Sequence, residues 1–266
     1  MRIGFIGAGQ MATALAAGIA HGDTPSEIAA YDPSDAAIDN FRAALDGKEV
    51  GVCESTVELA RSSDIVFIAV KPQMLEPALT GLTEVFEPGK TYVSVVAGAS
   101  ISRLQELSGS SQIIRTMPNT PCLVGAGAIA ISASESVAED KVDEVRNLLA
   151  QVGKVVDVSE SQINAVTGLS GSGPAYVYTF IEALIDGGVM TGLPRSVARE
   201  LAIQTVLGAS KMVAESSDHP ASLRDRVTSP GGTTIHGMAA LEEIGFRKGV
   251  SSAVIAATKR AAELGV

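Results

Sequence analysis

Short apolar runs recur through the first 158 residues, at Arg2–Ile6, Ile28–Tyr31, Val50–Val52, Ile65–Ala69, Thr91–Val96, Ile113–Met117, Ala126–Ile131 and Val155–Val158. Runs of this length, bounded by turn residues, predict strands. Between most of them the apolar positions return with a helical period, as over Met11–Ile19, Val57–Arg61, Gln73–Leu82 and Ala138–Gln151. Strand and helix in alternation predict an α/β fold built on a doubly wound, mainly parallel sheet. After Val158 the strand pattern stops. Helices are expected from Ser161, over Ala175–Ile185, Pro194–Ala214, Ala221–Val227, Thr233–Ile244 and Ser251–Leu264. The expected division is therefore 1–159, an α/β domain, and 160–266, an all-helical domain. The segment Ala175–Ile185 carries Tyr176, Val177, Tyr178, Phe180 and Ile181 with few charges. A helix apolar on nearly all faces belongs in a large core or in an interface, so the helical domain is expected to rely on a partner chain.

Composition narrows the function classes. Hydrophobic residues make up 46% and charged residues 19% of 266, which argues against disorder. A mean hydropathy of +0.27 leaves apolar surface in search of a partner. Thirty acidic against twenty basic residues give a net charge of −10, which disfavours a nucleic-acid partner. Cys53, Cys122, His21, His219 and His236 stand in no metal or redox spacing. No bound metal is expected, and both cysteines are read as reduced thiols of a cytoplasmic protein. The apolar N-terminus runs directly into glycines and carries no basic region, and no apolar run is long enough to span a bilayer. No membrane partner is expected.

The first strand leads into Gly7-Ala8-Gly9-Gln10-Met11-Ala12, the GxGxxA form of the dinucleotide fingerprint. Gly7 makes the tight turn, Gly9 lets the backbone approach a pyrophosphate, and Ala12 lets the helix pack closely on the strand. Its place after a strand and before a helix makes the domain Rossmann-like. Asp32 ends the second strand, where a carboxylate can accept both ribose hydroxyls of NAD and repel the extra phosphate of NADP. Ser34 and the next helix start can instead hold a phosphate, or Asp32-Pro33-Ser34 can be an ordinary helix cap. Ligands in such sheets sit beyond the C-terminal strand ends. Those ends carry Thr56, Val70-Lys71-Pro72, Ala97-Gly98-Ala99 and Pro118-Asn119-Thr120-Pro121. Lys71 reads either as a phosphate or ribose contact or as a solvated lysine. Asn119 either lines the nicotinamide side or stabilises a turn.

The stretch Val227–His236, VTSPGGTTIH, is the second chemical signal. Pro230 ends the preceding helix at Ser229, Gly231 and Gly232 free the backbone, and Thr233 and Thr234 open a new helix. Such a helix start offers bare N–H groups and a positive dipole end to an anion such as a carboxylate. His236 follows Thr234 by two residues and points about 160° away from it on a helix, which favours a structural role over general acid chemistry. Tyr176 and Tyr178 read as packing residues.

Several blocks carry a family resemblance: FIGAGQMA (Phe5–Ala12), AVKP (Ala69–Pro72), VAGASI (Val96–Ile101), MPNTP (Met117–Pro121), GLSGSGPAY (Gly168–Tyr176), DGGVMTGLPR (Asp186–Arg195) and HPASLRDRVTSPGGTTIHGM (His219–Met238). Along nearly its whole length the chain resembles pyrroline-5-carboxylate reductases, the last enzymes of proline biosynthesis. The resemblance implies reduction of the cyclic imine 1-pyrroline-5-carboxylate to L-proline with NADPH or NADH. It also implies a homodimer with interleaved helical domains, from which larger rings, commonly decamers, are built. Residue by residue, it implies that Gly7–Ala12 and Ala69–Pro72 line the cofactor. Ser34 and Thr56 then lie near the adenosine ribose, and Ala97 near the nicotinamide. Ser229, Gly232 and Thr233 hold the substrate carboxylate, Thr234 places its hydroxyl on the ring nitrogen, and Glu160 lies close to the substrate. Two positions depart from the pattern. Asp32 stands where NADPH-preferring members often carry Ser or another phosphate-tolerant residue, and Arg226 stands where some members carry Asn near the cofactor. The competing readings are a related imine or 2-hydroxyacid-type reductase, and a non-catalytic dinucleotide-binding regulator, which would not need the VTSPGGTT segment.

Overall fold

The computed structural model describes residues 1–22, 26–85 and 89–265. Its contacts divide the chain into two compact units, Met1–Ser172 with the last turns from Ile255, and Gly173–Val254.

The first unit is built on a sheet of eight strands among the described residues: β1 (Arg2–Ile6), β2 (Glu27–Tyr31), β3 (Val50–Val52), β4 (Ile65–Ile68), β5 (Thr91–Ser94), β6 (Ile113–Met117), β7 (Gly127–Ala133) and β8 (Gly153–Asp157). Their spatial order is β3-β2-β1-β4-β5-β6-β7-β8, so the chain reverses direction across the sheet between β1 and β4. In open α/β sheets this switch point is where ligands bind. Helices α1 (Gln10–His21), α2 (Asp35–Ala44), α3 (Thr56–Ser62), α4 (Leu75–Leu79), α5 (Ile101–Ser108), α6 (Glu139–Ala150) and α7 (Ile163–Val166) complete the unit. The pairing is parallel except between β6 and β7. Residues 118–126 join those two strands. That connection is too short for the crossover a parallel pair needs, so β7 returns antiparallel.

The uninterrupted apolar runs arise because both faces of the sheet are covered. On β4, Ile65 and Phe67 face one core cluster, while Val66 and Ile68 face the other. Phe5 of β1 stacks on Phe67, with ring centroids 4.9 Å apart. The single helix expected over Gln73–Leu82 is instead three short pieces: a 3-10 turn Pro72–Met74, α4, and a 3-10 turn Leu82–Val85. Pro77 lies inside the stretch and Gly81 adopts φ +84°, so neither permits a continuous helix. Helix α5 follows Ser100, whose Oγ accepts the Arg103 N–H.

The second unit is helical: α8 (Gly173–Met190), α9 (Arg195–Glu215), α10 (Pro220–Arg226) and α11 (Thr233–Glu243), followed by α12 (Phe246–Leu264), which ends in the first unit. Gly188 of α8 lies so close to Ala198 of α9 that an added Cβ would stand 3.0 Å from the alanine methyl. No described residue of α8 is buried. Tyr178, Leu201, Leu207 and Met212 of α8 and α9 are each more than half exposed. Apolar side chains in this number on one helical unit form the surface that a second chain would cover. Among the described residues no helix is long and apolar enough to cross a membrane.

Candidate active site

At the switch point the chain leaves β1 through Gly7, whose φ of +95° excludes an L side chain. A Cβ there would also stand 2.8 Å from the carbonyl oxygen of Ala69, so the turn packs directly on the end of β4. Gly9 then forms the N-cap of α1 with no side-chain cap and no acidic residue in the first turn. The first N–H groups of α1 therefore point out of the helix without an intrahelical acceptor. A Cβ on Gly9 would meet nothing within 4 Å, so the space in front of these donors is open. Open space before an uncapped helix start fits a dinucleotide pyrophosphate. Ala8 and Ala12 are buried behind the turn, with Gln10 exposed and Met11 half-buried.

A cavity of about 460 Å³ opens from this turn. It brings together Gly7, Gly9, Asp32, Thr56, Ala69, Val70 and Lys71. Tyr31, Met74, Pro77 and Ala78 also line it. Sequence reasoning did not single these out, because Tyr31 reads as a strand end and the other three as part of a packed helix. Asp32 is held from two sides. Its Oδ2 accepts the Ala8 N–H at 2.9 Å, and its Oδ1 accepts the Ser34 N–H at 2.9 Å. Ser34 lies outside the cavity lining and caps α2, its Oγ accepting the Ala37 N–H. Thr56 is the first residue of α3, which Ser55 caps. Pro72 and Ala97 line a second, neighbouring cavity of about 300 Å³ with Val96, Gly98 and Ser100.

Glu160 opens a 3-10 turn after β8, where Ser159 and Gln162 form a capping box. Its Oε1 accepts the Ile101 N–H at 2.6 Å and an Arg115 guanidinium N–H at 3.1 Å. Asn119 is tied at both ends, donating to the Ser170 carbonyl and accepting from the Ala128 N–H. That bridge makes it a clamp on the chain turn between β6 and β7.

In the second unit, Gly231 takes φ +66° and Gly232 is the N-cap of α11, again without a side-chain cap or a first-turn acid. The Gly232 N–H donates to the Ser229 carbonyl at 3.1 Å, and a Cβ on Gly232 would collide with the Ser229 hydroxyl. Ser229, Gly232, Thr233 and Thr234 therefore surround one uncapped helix start. His236 Nδ1 lies 2.9 Å from the Gly232 carbonyl oxygen, a contact that requires the proton on Nδ1. The imidazole is engaged in fixing the turn.

The fold and the glycine turn, with Asp32 beside it, are those of a nicotinamide-dinucleotide oxidoreductase, joined to a helical domain with exposed apolar faces. A profile for pyrroline-5-carboxylate reductase dimerisation matches residues 160–264, and one for NADP oxidoreductases, coenzyme F420-dependent, matches residues 2–98. The chain is 44% identical to the pyrroline-5-carboxylate reductase of Synechocystis sp., over 100% of this chain and 98% of that protein. It is 40% identical to the one of Escherichia coli, over 99% and 98%. The solved pyrroline-5-carboxylate reductase of Coxiella burnetii superposes with a TM-score of 0.90 at 35% identity, covering 99% of this chain and 98% of that one. The Plasmodium falciparum pyrroline carboxylate reductase with NADP bound gives 0.88 at 35%, covering 100% and 98%. The chain belongs to the pyrroline-5-carboxylate reductase family.

Proposed function

We infer that this protein reduces 1-pyrroline-5-carboxylate to L-proline with NADPH or NADH, the closing step of proline biosynthesis, in the cytoplasm. One observation carries the reading. A chain with a dinucleotide turn in its α/β unit has, in its helical unit, an uncapped helix start behind a left-handed glycine, shaped for a small carboxylate. A dinucleotide-binding regulator would not need that second anion site.

In this reading Gly7–Ala12 and Ala69–Pro72 hold the cofactor, with Asp32, Ser34 and Thr56 at the adenosine ribose and Ala97 at the nicotinamide. Ser229, Gly232 and Thr233 hold the substrate carboxylate, and Glu160 lies close to the substrate. Residues 1–159 bind the dinucleotide. Residues 160–266 carry the substrate site and interleave with a second copy, forming the homodimer from which a decamer would be built. When bound, the reduced nicotinamide supplies a hydride to the imine carbon. The protonated C=N is already a strong electrophile, so the protein's work is alignment, which can lower a barrier by roughly 7–11 kcal/mol. The α11 start fixes the carboxylate, and the Thr234 hydroxyl hydrogen-bonds the ring nitrogen as it becomes an amine. The test is initial-rate oxidation of NADH and of NADPH with 1-pyrroline-5-carboxylate. Turnover with either is expected; turnover with neither refutes the reading.

A further inference from the structure

Arg115 is a charged residue buried inside an apolar strand. It sits in the middle of β6, between Thr116 and Ile114, and its side chain is only 8% exposed. The strand register places it beside Ser94 of β5 on one side and Ser132 of β7 on the other. In-register neighbours share a face of the sheet, so Ser94, Arg115 and Ser132 form a buried polar row across three strands. The row leads to Glu160, which receives the Arg115 guanidinium at 3.1 Å.

Ser94 at one end of this row, and Glu160, which Arg115 holds, grip the same loop. At the β5 end, the Ser94 hydroxyl accepts the Val96 N–H at 3.2 Å. Beyond Arg115, Glu160 Oε1 accepts the Ile101 N–H at 2.6 Å. Between those two anchored amides lies the loop from Ala97 to Ser100. Arg115 and Glu160 come from places 45 residues apart in sequence, so nothing local requires the pair. A buried guanidinium is costly to desolvate and is a weak source of stability even when paired. Among the described residues its Nε has no hydrogen-bond partner, a further cost that the single ion pair with Glu160 has to offset.

We propose that Arg115, acting through Glu160, is a positioning residue that sets the Ala97–Ser100 loop against the nicotinamide half of the cofactor. Arg115 fixes the Glu160 carboxylate, and that carboxylate fixes the first amide of α5. This rests on the reading above that Ala97 faces the nicotinamide.

The experiment uses the full chain with Arg115→Met, which keeps length and removes charge, Arg115→Lys, which restores a cation, and Ile101→Pro. Ile101→Pro deletes the donor side of the contact; it also trims the buried Ile101 side chain, so Ile101→Val, which keeps the N–H, is measured beside it as the packing control. Ile101 stands at the first position of α5, where proline is tolerated, and Ser100 before it already has the extended backbone proline requires (φ −76°, ψ 157°). Three readouts are compared: kcat for imine reduction, the Kd of NADH by its fluorescence, and the Kd of ADP-ribose, which lacks the nicotinamide. With R115M, kcat should fall roughly 10- to 100-fold, the range a small misplacement of reacting groups produces. NADH should bind more weakly while ADP-ribose binds as before. R115K should recover most of the loss, and I101P should reproduce the R115M pattern with the ion pair intact. Unchanged kcat and NADH affinity in R115M, or parallel losses of NADH and ADP-ribose, would overturn the proposal. If R115M is insoluble, R115K and I101P decide it. If the wild type turns out not to reduce the imine, a selective loss of nicotinamide affinity in these variants still upholds the positioning role, and only the substrate reading falls.

Discussion

Oδ2 of Asp32 accepts the backbone N–H of Ala8 at 2.9 Å, joining the end of β2 to the glycine turn after β1. Its other oxygen accepts the Ser34 N–H, so the carboxylate is fixed and cannot swing away from a ligand. Each oxygen keeps acceptor capacity for a ribose hydroxyl. A 2′-phosphate would meet an immobile negative charge, and like charges in contact cost on the order of 1–4 kcal/mol near a protein surface. Asp32→Ser should therefore raise the ratio of kcat/KM for NADPH over NADH by roughly tenfold or more. Both cofactors should also lose some affinity together, because the Ala8 tie is gone. An unchanged ratio in steady-state assays would make Asp32 a loop anchor with no part in cofactor choice.

The two glycines of the turn make opposite predictions. Gly7→Ala forces a side chain to φ +95° and against the Ala69 carbonyl, so it should destabilise the fold by about 1–3 kcal/mol and lower Tm. Gly9→Ala meets no protein atom and keeps φ −74°, so Tm should hold. Its methyl stands where the pyrophosphate approaches, so cofactor binding should fail. Thermal melts with and without NADPH separate the two. A Gly9→Ala variant that still shifts its Tm on adding cofactor would place the pyrophosphate elsewhere.

What the sequence made legible was what is local. β4 reads as a strand because both its faces are buried, and α8 reads as an interface helix because its apolar residues run round it. The glycine fingerprint is readable because strand, turn and helix are contiguous. The bonding partners of Asp32, Glu160 and Asn119 were not readable in the same way, although a turn-stabilising Asn119 was one of its two readings. Each side chain is committed to a backbone amide on another element: Ala8, Ile101 and Ala128. Those meetings follow from sheet order, which no periodicity encodes. Arg115 left one trace, a charge inside the apolar run Ile113–Met117. The break at Pro77 and Gly81 was visible in the residues, and the helical spacing over Gln73–Leu82 masked it.

At the α11 start, the Thr234 hydroxyl is the group assigned to the substrate nitrogen. Deleting one such hydrogen bond costs about 1–3 kcal/mol, or roughly 5- to 150-fold in kcat/KM. Thr234→Ala should lose that much, and Thr234→Ser should keep most of the activity. His236 holds the Gly232 carbonyl through Nδ1, so His236→Asn should lower activity far less than Thr234→Ala. Equal kcat/KM for the wild type and Thr234→Ala would remove Thr234 from the chemistry.

The exposed apolar residues of α8 and α9 predict assembly. Burying a leucine is worth about 1.5–3 kcal/mol, and Leu207 is 60% exposed in the single chain. The wild type should sediment as a dimer or larger species. Leu207→Glu should shift it towards monomer at micromolar concentration. An unchanged sedimentation coefficient would place Leu207 outside the interface.

At the N-terminal ends of β1 and β4, in the middle of the sheet, Arg2 holds the Asp64 carboxyl below the usual carboxylate range, chiefly through its guanidinium at 2.7 Å and then through its backbone N–H. A depressed folded value means that the pair stabilises the fold above the unfolded value. The contribution is lost as pH falls through the folded one. Both side chains are about half exposed, so screening keeps the effect small, about 0.2–1 kcal/mol. In denaturant titrations Asp64→Asn should be less stable than the wild type by that amount at neutral pH. The difference should shrink in high salt and disappear in acid. A difference that persists in acid would assign the effect to packing and not to charge.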